Sequence, residues 1–155
     1  MSGARARAWW LAGGLCLAVV VLDQVSKAIV RDHIVVGEQI HVLGPLDLTL
    51  SHNSGVAFGI ASGGAAPLVG FALIALAFVG YLLARNPGLP GMWVAAGLVA
   101  GGALGNMIDR LRTGSVTDFV EIGSWPPFNL ADVAITTGVI VFAVIFLREG
   151  DGGHG

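Results

Sequence analysis

The stretch GNMIDRLRTGSVTDFVEIGSWPPFNLAD, Gly105 to Asp132, decides how this chain is read. It is polar and acid-bearing, yet it lies between two strongly apolar runs. Asp109, Asp118, Asp132, Asn106, Asn129 and Arg110 crowd a place where an apolar chain is expected to put only a thin loop. Such groups are costly near hydrocarbon, so their concentration asks for a chemical reason.

The surrounding composition sets the class. The 155 residues are 55% hydrophobic and 12% charged, with a mean hydropathy of +0.81. A soluble domain carries about twice that charged fraction, so an integral membrane protein is expected. The 24 glycines suit helices that approach closely in lipid. A β-barrel would need many alternating segments of about ten residues, which the long apolar runs do not supply. A formal net charge of -2 offers no basic patch, so nucleic acid is excluded as a partner. Cys16, the single cysteine, rules out an intrachain disulfide framework and a multi-cysteine zinc site.

Working outward, four spans are expected at about residues 9–30, 66–84, 92–109 and 130–147. The first follows Arg5 and Arg7, as a cleavable signal peptide would, but no small-residue cleavage site follows it. Its LAGGLC segment has the outline of a lipidation box, except that Leu15 fills the position before Cys16 where a small residue is needed. Asp23 and Lys27 share a helix face at the far end of this span, either as a pair that neutralises itself at the interface or as part of a site. Residues 31–64 form an extramembrane segment: Gln39 to Leu43 and Leu46 to Leu50 alternate around Gly44-Pro45, which reads as a hairpin, and HNSGVAFG (52–59) reads as a turn. RNPGLPG (85–91) is a tight connection. In the third span Gly97, Gly101 and Gly105 make a small-residue ridge whose next step is Asp109, which should face protein. Pro126 and Pro127 suit the entrance of the fourth span. The tail, 148–155, is expected to be disordered. The predicted fold is an all-α membrane bundle of four transmembrane helices with a small extramembrane β hairpin, or cradle, between spans one and two.

Four spans put eight of the ten acids at one membrane face, leaving Glu149 and Asp151 at the other. Basic residues divide evenly between the faces, and Arg5 and Arg7 immediately before the first span favour a cytoplasmic N-terminus.

Two carboxylates close together in a partly dry site share a proton, so one serves as base toward water and the other as acid toward a scissile amide. Asp118 and Asp132, 14 residues apart, are the candidates for such a dyad. Other readings stand beside it. Asn129 and Asp132 have the spacing of N-cap and N3, so Asp132 could simply cap a helix. Intramembrane acids could also serve a small carrier or proton relay, although no inverted second half is present. A metal hydrolase could use Asp and Asn oxygens with His52, but no HExxH spacing supports it.

Five ordered motifs carry a resemblance: DQVSK (Asp23 to Lys27), NSGVAFG (Asn53 to Gly59), GNMIDRL (Gly105 to Leu111), VTDF (Val116 to Phe119) and FNLAD (Phe128 to Asp132). With four spans around them, the chain resembles the lipoprotein signal peptidases, or signal peptidase II family. The resemblance implies a single membrane-embedded aspartyl peptidase domain with Asp118 and Asp132 as catalytic dyad. It implies that Asp23, Lys27, Asn53, Gly105, Asn106, Asp109, Arg110, Asn129 and Ala131 line or support the site. The implied substrates are prolipoproteins bearing a diacylglyceryl-modified cysteine, cut on its N-terminal side. No metal or other cofactor is implied. The protein is expected to act as a monomer among membrane lipid, in the bacterial inner membrane, with both termini cytoplasmic and the site at the outer face.

Overall fold

A computed structural model describes residues 3–55 and 66–151. Helices α1 (Gly3–His33), α2 (Ala66–Arg85), α3 (Met92–Thr113) and α4 (Leu130–Asp151) are each long and apolar enough to cross a membrane. Strands β1 (Gln39–Leu43), β2 (Leu46–Asn53), β3 (Val116–Ile122) and β4 (Trp125–Phe128) form one antiparallel sheet in that order.

Helix α3 sits at the centre, touching α1, α2 and α4, and is the most buried of the four. Its small residues explain why. Gly97 and Gly101 lie against α1, and a Cβ added at Gly101 would stand 2.6 Å from the Val19 Cβ and 2.9 Å from the Cys16 carbonyl oxygen. Gly102 faces Ala131 and Ile135 on α4, while Gly138 of α4 packs back onto Ala95 and Val99. Lipid tails are as apolar as leucine, so close backbone approach and dispersion, not exclusion from water, hold such helices together. The glycine ridge thus packs as its spacing predicts, and Asp109 at its end is buried in protein.

At the other end of the bundle, Val30 of α1 and Ile34, just past its end, pack on Leu50 and Phe119 of the sheet, fastening strands to helices. The expected hairpin is β1–β2, but it is only half of the sheet. The segment read from sequence as a loop bearing Asp118 is β3, and the Pro-rich turn after it is β4. Val116 to Ile122 has the β-branched and aromatic content of a strand, but Asp118 and Glu121 obscure it. Pro126 and Pro127 are tolerated because β4 is an edge strand, where a missing N–H need not break a ladder.

The helix ends also differ from expectation. Arg31 to His33, assigned to the cradle, are the last turn of α1. Helix α3 continues beyond Asp109 to Thr113 and is closed by Gly114, whose N–H bonds to the Arg110 carbonyl. Residues 148–151, assigned to a disordered tail, are the last turn of α4. Most of the turn after Asn53, and residues 152–155, lie outside the described residues.

Gly101→Ala should therefore destabilise the bundle by about 1–3 kcal/mol through overpacking. A Cβ at Gly13 meets nothing within 4 Å, so Gly13→Ala should be neutral. Thermal unfolding in detergent checks the contrast.

Candidate active site

The acid-bearing stretch folds onto the end of α1, and a single lysine stands at the junction. Lys27 is fully buried. Its Nζ lies 2.8 Å from Asp23 Oδ2 and 3.0 Å from Asp109 Oδ2, and donates to Asn106 Oδ1 at 3.0 Å. The Asp23–Lys27 pair is therefore no self-contained interfacial pair; it spans from α1 to α3.

The carboxylates of these two acids also reach further. Asp23 Oδ1 accepts the backbone N–H of Ala131 at 3.0 Å, and Asp109 Oδ2 also accepts that of Thr117 at 3.1 Å. Ala131 immediately precedes Asp132, and Thr117 immediately precedes Asp118. One lysine thus pairs with both of the acids that fix the backbone beside each of the other two, and Arg31 Nη1 adds a second positive charge 4.0 Å from Asp109 Oδ1. Gln24 joins the pair, its Nε2 within 3.1 Å of both Asp23 Oδ2 and Asp109 Oδ1 and 3.2 Å from the Gly105 carbonyl oxygen. Arg31 donates to the Thr117 hydroxyl at 3.0 Å.

Asparagines then set the two carboxylates. Asn129, fully buried, donates through Nδ2 to Asp118 Oδ1 at 2.6 Å and to Asn106 Oδ1 at 3.1 Å. Its backbone N–H donates to Asp132 Oδ2 at 3.2 Å, while its Oδ1 accepts the Asp132 N–H at 3.0 Å. This reciprocal pair is a capping box at the start of α4, and it also fixes which way the Asn129 amide faces. Asn106 Nδ2 donates to Asp132 Oδ1 at 2.8 Å, and Asn53 Nδ2 to Asp118 Oδ2 at 3.1 Å. All four oxygens of Asp118 and Asp132 thus accept an N–H. Burial, with the Asp132 charge nearby, raises the Asp118 pKa from 3.8 to about 6, against the opposing bonds from Asn53 and Asn129 and the charge of Lys27.

Asp132 borders open space on two sides. A cavity of about 370 Å³ between α2, α3 and α4 is lined by Leu68, Phe71, Asn106, Arg110 and Asp132 among others. Arg110 Nε is buried there with no hydrogen-bond partner among the described residues. A second cavity of about 310 Å³ runs from Asp132 between β4 and α4. Two hydrogen-bonded carboxylates, one of them beside open cavities, form a group able to exchange protons with a molecule held there.

Residues 15–148 match the model of the signal peptidase (SPase) II family. The chain belongs to the signal peptidase II family. It is 41% identical over 146 residues to the lipoprotein signal peptidase of Moorella thermoacetica, covering 90% of this chain and 95% of that protein. It is 44% identical over 141 residues to the lipoprotein signal peptidase of Pelotomaculum thermopropionicum, covering 88% and 92%. A solved structure of a bacterial membrane enzyme, 35% identical, aligns with a TM-score of 0.82 over 88% of this chain and 92% of its own. The molecule is a multi-pass bacterial membrane peptidase of the signal peptidase II family.

Every sequence-selected site residue of this signal peptidase II chain lies in or beside the cluster. Gly105 is there for its lack of a side chain, since a Cβ would stand 2.6 Å from Asp23 Oδ2. Ala131 contributes its backbone N–H. Gln24, Arg31 and Thr117 were not singled out. Gln24 lies inside the DQVSK motif, where a search for ionisable residues passes over it, and Thr117 acts chiefly through its backbone, which leaves no signature in residue type. His52 is exposed on β2, opposite Thr117.

Lys27→Met should leave Asp23 buried without a counter-charge and Asp109 with only Arg31, whose Nη1 stands 4.0 Å from Asp109 Oδ1, and destabilise the protein by about 3–5 kcal/mol, read as a fall in unfolding temperature in detergent. A second outcome follows from Asp118. Its folded pKa lies above the unfolded value, so between pH 3.8 and about 6 the folded state keeps a proton that the unfolded chain has released. Stability of the wild type should fall as pH rises through that window, whereas Asp118→Asn lacks this term. The unfolding temperature of the variant minus that of the wild type should widen from pH 4 to pH 7; a constant difference would contradict the assignment.

Proposed function

We propose that this protein is an aspartyl endopeptidase that removes signal peptides from diacylglyceryl-modified prolipoproteins, cutting on the N-terminal side of the lipidated cysteine. The observation that carries the reading is Asn129, which bonds Asp118 through its side chain and Asp132 through its main chain. Asn129 holds the two carboxylates near one another, and burial together with the Asp132 charge raises the Asp118 pKa to about 6, which agrees with a proton held by the pair. One carboxylate takes a proton from water as its oxygen attacks the scissile carbonyl carbon. The proton held by the pair passes to the amide nitrogen as the C–N bond breaks. Arg110, whose Nε has no partner among the described residues and whose side chain lines the cavity, is suited to donate to a substrate carbonyl.

A substrate carrying acyl chains stays in the bilayer, and a site at the ends of α1, α3 and α4 meets its scissile bond near the interface. Arg5 and Arg7 support cytoplasmic termini and an outer-face site. Nothing in the proposed chemistry requires a second copy or a cofactor. The alternative of a carrier or proton relay finds less support, because the acids gather at one end of the bundle and do not form a chain across it.

The test is cleavage of a diacylglyceryl-modified prolipoprotein in liposomes. Asp118→Asn and Asp132→Asn should each lower the rate by about a hundredfold or more while the protein still unfolds cooperatively. Asp47→Asn, at the exposed His41 pair, and EDTA should leave the rate unchanged. Substantial activity in either dyad variant, or inhibition by EDTA, would sink the aspartyl reading.

A further inference from the structure

The sheet supports the strand of Asp118 unevenly. Strand β4 pairs with β3 at Val120 and Ile122, so from Val116 to Asp118 the only strand neighbour is β2. Even that side is irregular, since the β2–β3 register shifts between Leu48 and Ser51, and Ser51 is the partner of Asp118. A strand end held in this way can twist, and a carboxylate on it would move with it. Asp118 has little room for such movement, because its oxygens accept from Asn129 at 2.6 Å and from Asn53 at 3.1 Å.

The missing support comes from α1 and α3, and it converges on Thr117. Side chains alternate along a strand, so Thr117 and Phe119 face away from Asp118. Phe119 packs on Val30 and Ile34. Thr117, 2% exposed, accepts Arg31 Nη1 on its hydroxyl at 3.0 Å and donates its N–H to Asp109 at 3.1 Å. Gln24, Lys27 and Arg31 form one stripe along α1. All three stand at Asp109, with Gln24 3.1 Å from Oδ1, Lys27 3.0 Å from Oδ2 and Arg31 4.0 Å from Oδ1. Of the three, Arg31 also bonds Thr117. One bond at the N–H leaves the strand able to rotate about that bond, and a second at the side chain of the same residue removes the freedom. Threonine suits this use, because two heavy atoms on Cβ restrict χ1, so fixing the hydroxyl fixes the backbone that carries it.

We propose that Arg31 and Thr117 are positioning residues for Asp118. Their guanidinium–hydroxyl bond locks β3 at the residue before the acid and so keeps its carboxylate between Asn53 and Asn129. The effect on rate rests on the proposed function; the lock itself does not. Neither residue lines the cavities beside Asp132, so the pair acts on the chemical step and not on substrate binding. Arg31 also brings charge toward Asp109, but its bond to Thr117 is the closer contact, at 3.0 Å against 4.0 Å.

The experiment is a double-mutant cycle on the full chain in liposomes, with a diacylglyceryl-modified prolipoprotein as substrate. Arg31→Met and Thr117→Val each remove the bond while keeping bulk, and each should lower kcat about tenfold with KM unchanged. The double variant should fall no further than either single one, because both changes break the same bond. Thr117→Ser, which keeps a hydroxyl, should retain most of the rate. Arg112→Met, removing an exposed charge at the end of α3, should change nothing. Falls that multiply in the double variant would show Arg31 acting through its charge on Asp109 and would overturn the pairing. A change confined to KM, or an unchanged kcat, would overturn the positioning role. Hydrogen exchange read by mass spectrometry follows the lock without cleavage: residues 116–119 should exchange faster in Arg31→Met and Thr117→Val while α4 is unaffected. Absence of that loosening would overturn the lock. Cleavage retained by Asp118→Asn in the same assay would instead overturn the peptidase assignment, which the exchange measurement does not use.

Discussion

Lys27 reaches from α1 to α3 with its ammonium between Asp23 and Asp109, and the order of the site depends on this contact. Removing one ammonium and two carboxylates from water costs several kcal/mol per ion, and Coulomb attraction repays it only when geometry is good and the remaining lone pairs are used. Here they are used: the two acids also accept from Gln24, Ala131 N and Thr117 N. Those last two bonds give the cluster its structural meaning. A buried charge attracts an amide N–H more strongly than a neutral acceptor does, so the chain beside Asp118 and the chain beside Asp132 are both held by charge. An apolar contact in their place would allow sliding.

The ion cluster and the glycine ridge are parts of one device. Lys27 can reach Asp109 only if α1 and α3 lie nearly backbone to backbone, and Gly97, Gly101 and Gly105 permit that approach. At Gly105 the two features meet, with Asp23 occupying the space a side chain would take. Dispersion along the ridge brings the helices together without specifying rotation. The charges supply the register, because a rotation of α1 by one residue would carry Lys27 and Asp23 away from Asp109 and Asn106.

Much of this was legible in the sequence, and the unread part has a physical cause. Spans follow from unbroken apolar length, and the buried end of α3 follows from the four-residue glycine repeat leading to Asp109. The hairpin β1–β2 alternates openly. Strands β3 and β4 did not announce themselves, because Asp118 and Glu121 interrupt the apolar pattern of one and two prolines fill the other. In both, tertiary context overrides local preference: Asp118 is buried on β3 because Asn53 and Asn129 wait for it, and the prolines of β4 face an edge. The role of Ala131 came from the family resemblance, and backbone donors such as Ala131 N and Thr117 N have no residue-type signature that a motif search could weigh.

The cap at the start of α4 is compatible with a second use of Asp132. A capping box normally satisfies free N–H groups at a helix start, using the first residue's side chain and the acid three positions on. Asn129 and Asp132 do this, and the same bonds hold the Asp132 carboxylate in a fixed orientation without consuming its second oxygen, which Asn106 takes. The Asn129 Oδ1 is engaged by the cap, which leaves its Nδ2 free to reach Asp118. A helix start thereby becomes the hinge of a carboxylate pair: its local rule fixes one acid, and the spare donor of the capping residue fixes the other. Had serine or threonine stood at position 129, the cap would have formed equally well, but a single hydroxyl proton could not have reached Asp118 and Asn106 together. Asparagine is the residue whose one side chain accepts for the helix and donates twice to the site.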